Sequence, residues 1–168
     1  MKRTDEKLIS WLFETRAVRV CPEDKPFWYT SGTIGPYYIN THFLYGSEGK
    51  ANDLLDIVDN TRSDILKCPL TVKEHTIKNY CSDPIYSGLI DEMCRYVSAN
   101  IGLERIDCIS GGERRDWFFS LNLAEKLGKP HLVIYKDLTS VIIEDGSVTV
   151  PESLEGKNIL HVADLITE

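Results

Sequence analysis

The segment from Ile106 to Tyr135 constrains this chain more than any other. It runs "IDCIS", "GGERRD", a helical stretch from Trp117 to Leu127, Gly128 and Pro130, and then "HLVIY". Short apolar runs bounded by turn residues read as buried strands, and a Gly with a Pro close behind ends a helix. Strand, loop, helix, strand in that order predicts a βαβ unit, and hence a parallel sheet flanked by helices. "VIIEDGSVTV" adds a hairpin turning at Asp145-Gly146, and "NILHVA", Asn158 to Ala163, adds a third apolar strand.

The first hundred residues read differently. Thr4 followed by Asp5 and Glu6 predicts a helix start, and Leu8, Trp11 and Leu12 then give one buried face. From Pro26 to Phe43 the chain is rich in turn residues and aromatics, which predicts short strands and loops. Leu54, Ile57, Val58, Ile65 and Leu66 share one stripe and predict a second helix. Ile85, Leu89, Met93 and Val97 step by four and predict a third, with Gly102 at its stop. There is no internal repeat and no low-complexity tract.

A chain of 168 residues suffices for one domain with a sizeable core. Its net charge of -7 argues against a general nucleic-acid binder and leaves room for a local basic patch. No apolar run reaches membrane-spanning length, and "MKRTDEKLISWLFETR" is too acidic for a signal peptide, so a cytoplasmic protein is expected. The five cysteines are odd in number and form no Cys-x-x-Cys pair, which fits reduced thiols. Cys68, His75 and Cys81 match no closed zinc site, so no protein-held metal is expected.

In open parallel sheets, ligands sit beyond the carboxyl ends of the strands. Three segments follow strands: "GGERRD", Lys136-Asp137, and "ADLITE" from Ala163 to Glu168. The glycines of the first would let the backbone approach a ligand, and Arg114 and Arg115 can clamp phosphate bidentately. The competing reading is a solvated turn with Asp116 as the N-cap of the next helix. Lys136-Asp137 adds a cation and an acid, or is a surface ion pair. No helix follows the last strand before Glu168, which reads as a fragment or an unusual finish.

Two segments carry a resemblance to a known family. "NILHVADLIT" resembles the phosphoribosyl pyrophosphate (PRPP) motif of type I phosphoribosyltransferases, with Asp164 in the place of the second of two neighbouring acids and Thr167 matching a hydroxyl of the phosphate loop. Ala163 stands where the first acid belongs. "FWYTSGTIGPYYIN", Phe27 to Asn40, resembles the N-terminal signature of orotate phosphoribosyltransferases.

That resemblance covers most of the chain, with extra helical sequence between Lys50 and Gly102. It implies a Rossmann-like parallel sheet flanked by helices with an N-terminal hood: one domain, hood 1–45 and core 50–168, incomplete at its C-terminus. It implies transfer of phosphoribose from PRPP to a nitrogenous base, most naturally orotate in pyrimidine nucleotide synthesis. The alternative is a non-catalytic PRPP- or nucleotide-sensing domain. Arg114, Arg115, Lys136, Asp164 and Thr167 would bind PRPP, with Asp164 catalytic. Ser31, Gly32, Tyr37, Tyr38 and Ile39 would shape the base pocket, with Tyr38 the ring contact. Mg²⁺ would enter with PRPP, and the family's homodimer would close one subunit's site with the other's loop. Thr30 stands in place of an orotate-binding lysine, and "LTSVIIEDGSVTV" corresponds to a catalytic loop but holds neither Lys nor His. Sequence beyond Glu168 is expected to restore PRPP binding, and an acid introduced at Ala163 in that longer chain to strengthen it further.

Overall fold

The structure, a computed structural model, describes residues 2–29 and 31–164. Its centre is a five-stranded mixed sheet with the order β8 (Ser147–Thr149), β7 (Ser140–Glu144), β6 (His131–Ile134), β5 (Cys108–Gly112), β9 (Ile159–Val162). β5 (Cys108–Gly112) lies in the middle, parallel to β6 (His131–Ile134) on one side and to β9 (Ile159–Val162) on the other. β7 (Ser140–Glu144) and β8 (Ser147–Thr149) form the expected hairpin and continue the sheet antiparallel from β6. Asp145 and Gly146 both take positive φ, 47° and 77°, as a two-residue turn matched to strand twist requires. The chain leaves β5 towards β6 on one flank and returns to β9 on the other. The carboxyl ends of β5 and β9 therefore open onto a topological switch point.

The βαβ helix α5 (Trp117–Leu127) matches the expected span, and every residue from Trp117 to Ala124 is buried. It packs against β5 and β6 and also against α3 (Cys68–Ser82) and α4 (Pro84–Asn100), which explains its apolar sequence all round. Trp117 and Phe118 are fully buried, and each such ring stabilises the fold by roughly 1.5–3 kcal/mol. The polar residues on this helix are satisfied: Ser120 Oγ lies 2.8 Å from His131 Nε2, and Asn122 donates to the Thr76 carbonyl at 2.9 Å. Gly128, at φ 62°, closes the helix.

α1 (Lys2–Glu14) begins two residues ahead of Thr4, so Thr4 lies within the helix. The stripe read as one long second helix is broken. α2 (Glu48–Thr61) ends before it, because the Asp64 carboxylate accepts the amides of Leu66 at 3.2 Å and Lys67 at 3.0 Å and turns the chain. Ile65 and Leu66 lie in that turn, and α3, with Pro69 in its first turn, starts beyond it. α4 runs as expected. Asp83 caps it, accepting from Ile85 and Tyr86 amides at 3.0 and 2.9 Å, and Gly102 follows its end at φ 89°.

Between α1 and α2 lie two small antiparallel ladders. β1 (Val18–Val20) pairs with β4 (Tyr37–Ile39), and β2 (Phe27–Trp28) with β3 (Ile34–Gly35). A Cβ on Gly35 would stand 2.3 Å from the Tyr29 hydroxyl, so a side chain there would push the Tyr29 ring aside. Tyr29 crosses this spot to donate its hydroxyl hydrogen to the Tyr37 carbonyl. A 3₁₀ turn, Thr41–Tyr45, then leads to α2.

Candidate functional site

Beyond the carboxyl ends of β5, β6 and β9 lies a cleft of ≈ 330 Å³ lined by Glu113, Arg114, Arg115, Asp116, Lys136 and Asp164. All six side chains carry charge, so the cleft is built for a highly polar ligand. Three segments far apart in sequence meet here because their strands are neighbours.

Glu113 ties two of the segments together. Its Oε2 accepts the Lys136 amide at 3.1 Å, and its Oε1 pairs with Arg62 Nη1 at 3.1 Å. Its own amide donates to the Ile134 carbonyl at 2.8 Å. Arg114 follows through a cis peptide bond and pairs with Asp59 near the end of α2. The two neighbouring arginines are therefore not equivalent. Among the described residues no carboxylate pairs with Arg115 or Lys136.

Asp116 does not cap α5. Its backbone is already helical, φ -61° and ψ -31°, and its side chain makes no capping bond. The carboxylate instead accepts the Gly112 amide at 3.0 Å and the Asp164 amide at 2.8 Å, joining the ends of β5 and β9. Sequence reasoning missed this role, because an Asp just ahead of a helix signals a cap and its partner lies 48 positions away. The first of the two glycines before it also has another cause. A Cβ on Gly111 would stand 2.3 Å from Ser120 Oγ, so that glycine lets α5 close onto β5 rather than opening the backbone to a ligand.

Asp164 Oδ2 accepts the Thr41 hydroxyl at 3.2 Å, which couples the cleft to the 3₁₀ turn below the small ladders. Burial, and then the charge of Asp116, raise the Asp164 carboxyl above its usual pKa range. His42, next to Thr41, is buried against Phe43 and Phe118, and its Nδ1 has no partner among the described residues. Burial and the nearby Arg115 and Arg114 charges lower its pKa to about 4, so it is neutral at pH 7. His161 on β9 lies 2.8 Å from Ser110 Oγ through Nδ1 and 3.9 Å from Asp116 Oδ2 through Nε2. Ser110 is only 1% exposed, so this trio orients an imidazole and presents no nucleophile.

The residues expected at a base pocket lie on the small ladders, and none of them lines this cleft. Ser31 and Gly32 occupy the β2–β3 turn, where Ser31 Oγ meets Thr33 Oγ1 at 2.9 Å. Tyr38 faces Phe27 and Tyr29 at ring separations of 5.7 and 6.4 Å, with the Arg19 guanidinium 5.8 Å from its centre. Tyr37 and Ile39 are exposed and, by strand alternation, point to the opposite side. These five residues therefore do not form one wall. Thr30 and Thr167 lie outside the described residues. Among the described residues no group of three or more His, Cys, Asp or Glu side chains is arranged to hold a metal ion, and no helix is long and apolar enough to cross a membrane.

No protein-family model matches the chain, nor does any curated protein sequence. Among solved structures, the chain is similar to the orotate phosphoribosyltransferase of Francisella tularensis, at 13% identity and a TM-score of 0.42. The match covers 91% of this chain and 54% of that one, so the chain spans about half its length.

Proposed function

We propose that this chain is a phosphoribosyltransferase-type module that binds PRPP and transfers its phosphoribose to a nitrogenous base. One observation carries the reading: Arg115, Lys136 and Asp164, on loops after three parallel strands, line a single cleft. Two cations suit a diphosphate, and a carboxylate beside them suits sugar hydroxyls. In this reading Arg115 and Lys136 offset charge developing on the departing diphosphate. Asp164 accepts hydrogen bonds from the ribose hydroxyls and faces the positive charge developing on the sugar. Thr41 holds Asp164 in place from the hood side.

Mg²⁺ fits this site as a cation brought in by the diphosphate, where it would neutralise the leaving group. Asp116 and Asp164 would offer it hard oxygen donors, and no third is arranged with them among the described residues. Orotate is the base we favour, on the Phe27 to Asn40 signature. One domain, with hood 1–45 and core 50–168, a homodimer and a cytoplasmic place in pyrimidine nucleotide synthesis complete the proposal.

A second reading, a PRPP or nucleotide sensor without turnover, has a specific observation in its favour. The segment matching the catalytic loop is taken up by the β7–β8 hairpin, laddered into the sheet and free of Lys and His. Calorimetric titration with Mg²⁺–PRPP, paired with a pyrophosphate-release assay using orotate and other bases, separates the readings. Binding with release supports the transferase, and binding without release for any base supports the sensor. Absence of binding contradicts both.

A further inference from the structure

Asp164 has an alanine, not an acid, beside it at position 163, yet the cleft contains a second carboxylate close by. We infer that Asp116 supplies the second acceptor for a vicinal diol, in place of the absent acid at Ala163. The inference rests on the reading of this cleft as a sugar-phosphate site.

The geometry supports it in three ways. Asp116 reaches the cleft from the start of α5 and lies so close to Asp164 that its Oδ1 accepts the Asp164 amide at 2.8 Å. Each carboxylate oxygen offers about two acceptor positions. The Gly112 amide uses one on Oδ2 and the Asp164 amide one on Oδ1, which leaves capacity for hydroxyl donors. Asp164 Oδ2 similarly spends one position on Thr41. Two backbone bonds hold Asp116 still before any ligand arrives, so little side-chain freedom is lost on binding. Arg115, also in the cleft, offsets the paired negative charge.

A clamp that only joined Gly112 to Asp164 would show the same two amide bonds, so the test must separate clamp from acceptor. The full chain is titrated with ribose 5-phosphate and with its 2-deoxy and 3-deoxy analogues, as wild type and as Asp116→Asn. The wild type is expected to prefer ribose 5-phosphate over at least one deoxy analogue by about tenfold, the scale of one charge-assisted hydrogen bond. In Asp116→Asn that preference should fall to within about twofold. A clamp would weaken all three ligands alike and keep the ratio, which would overturn the inference. If the wild type itself fails to discriminate, the diol reading of the cleft fails and takes Asp116 with it. Ala163→Asp leaves the Asp116 contacts in place and is the second variant. In contrast to the gain expected from the family motif alone, it should bring no gain in ribose 5-phosphate affinity, and a tenfold gain would show that the second acid acts beside Asp164 in sequence instead.

Discussion

Gly111→Ala distinguishes a glycine that admits a ligand from one that admits a helix. The new Cβ would stand 2.3 Å from Ser120 Oγ, 3.0 Å from Ser120 Cβ and 3.2 Å from Asp116 Cβ. None of these atoms is a free chain end: Ser120 is fully buried and its hydroxyl is bonded to His131 Nε2. Relieving the overlap means shifting α5 from β5, an overpacking cost of about 1–3 kcal/mol. Displacing Ser120 also strands a buried imidazole nitrogen, roughly another 1–3 kcal/mol. The expected destabilisation is therefore about 2–6 kcal/mol, read by urea denaturation as a lower midpoint with unchanged slope. Were Gly111 present for ligand approach, its replacement would leave stability unchanged or raise it by about 0.4–1 kcal/mol, while pyrophosphate binding fell. That pattern would refute the packing argument.

Asp83→Ala removes both the cap of α4 and the partner of Lys50 at 2.7 Å, and should cost about 1–2 kcal/mol in the same denaturation assay. Stability should fall with acidity, because His42 and His131 are buried neutral with pKa values lowered to about 4 and about 3. The unfolded chain takes up these protons first, so their contribution is complete above pH 6.5 and is lost as pH falls towards 4 and below. Melting profiles of His42→Leu across that window should be flatter than those of the wild type. Glu113→Ala releases both Arg62 and the Lys136 amide, and should weaken pyrophosphate binding about three- to tenfold by isothermal titration.

The parts of the fold legible in the sequence are those fixed by local pattern. α5, β6 and the Asp145-Gly146 hairpin announce themselves by apolar runs and by turn residues at their ends. The break between α2 and α3 was hidden because Ile65 and Leu66 continue the α2 stripe numerically, while the signal that ends it, the Asp64 carboxylate turned onto two amides, looks like any surface acid. β1 and its pairing with β4 join residues about twenty positions apart, with too few positions in either strand to show a period. At the cleft, strand-end logic brings Arg115, Lys136 and Asp164 together. The bonds that arrange them, from Glu113 to Lys136 and from Asp116 to Asp164, span distant segments and have no local signature. Arg114 and Arg115 differ for the same reason: only the fold sets Asp59 beside the first.

The central claim is a location as well as a ligand, and backbone amide chemical shifts report both. Titrating the ¹⁵N-labelled chain with Mg²⁺–PRPP should perturb Thr41, Gly112 to Asp116, Lys136 and Asp164 together, with one shared affinity. In Arg115→Ala the same set should respond with affinity about tenfold weaker or more, the loss of one charge-assisted hydrogen bond to phosphate. Shifts confined to another surface, such as the groove between α2 and α3 lined by Lys50, His75 and Lys78, or a titration that Arg115→Ala leaves unchanged, would contradict the account.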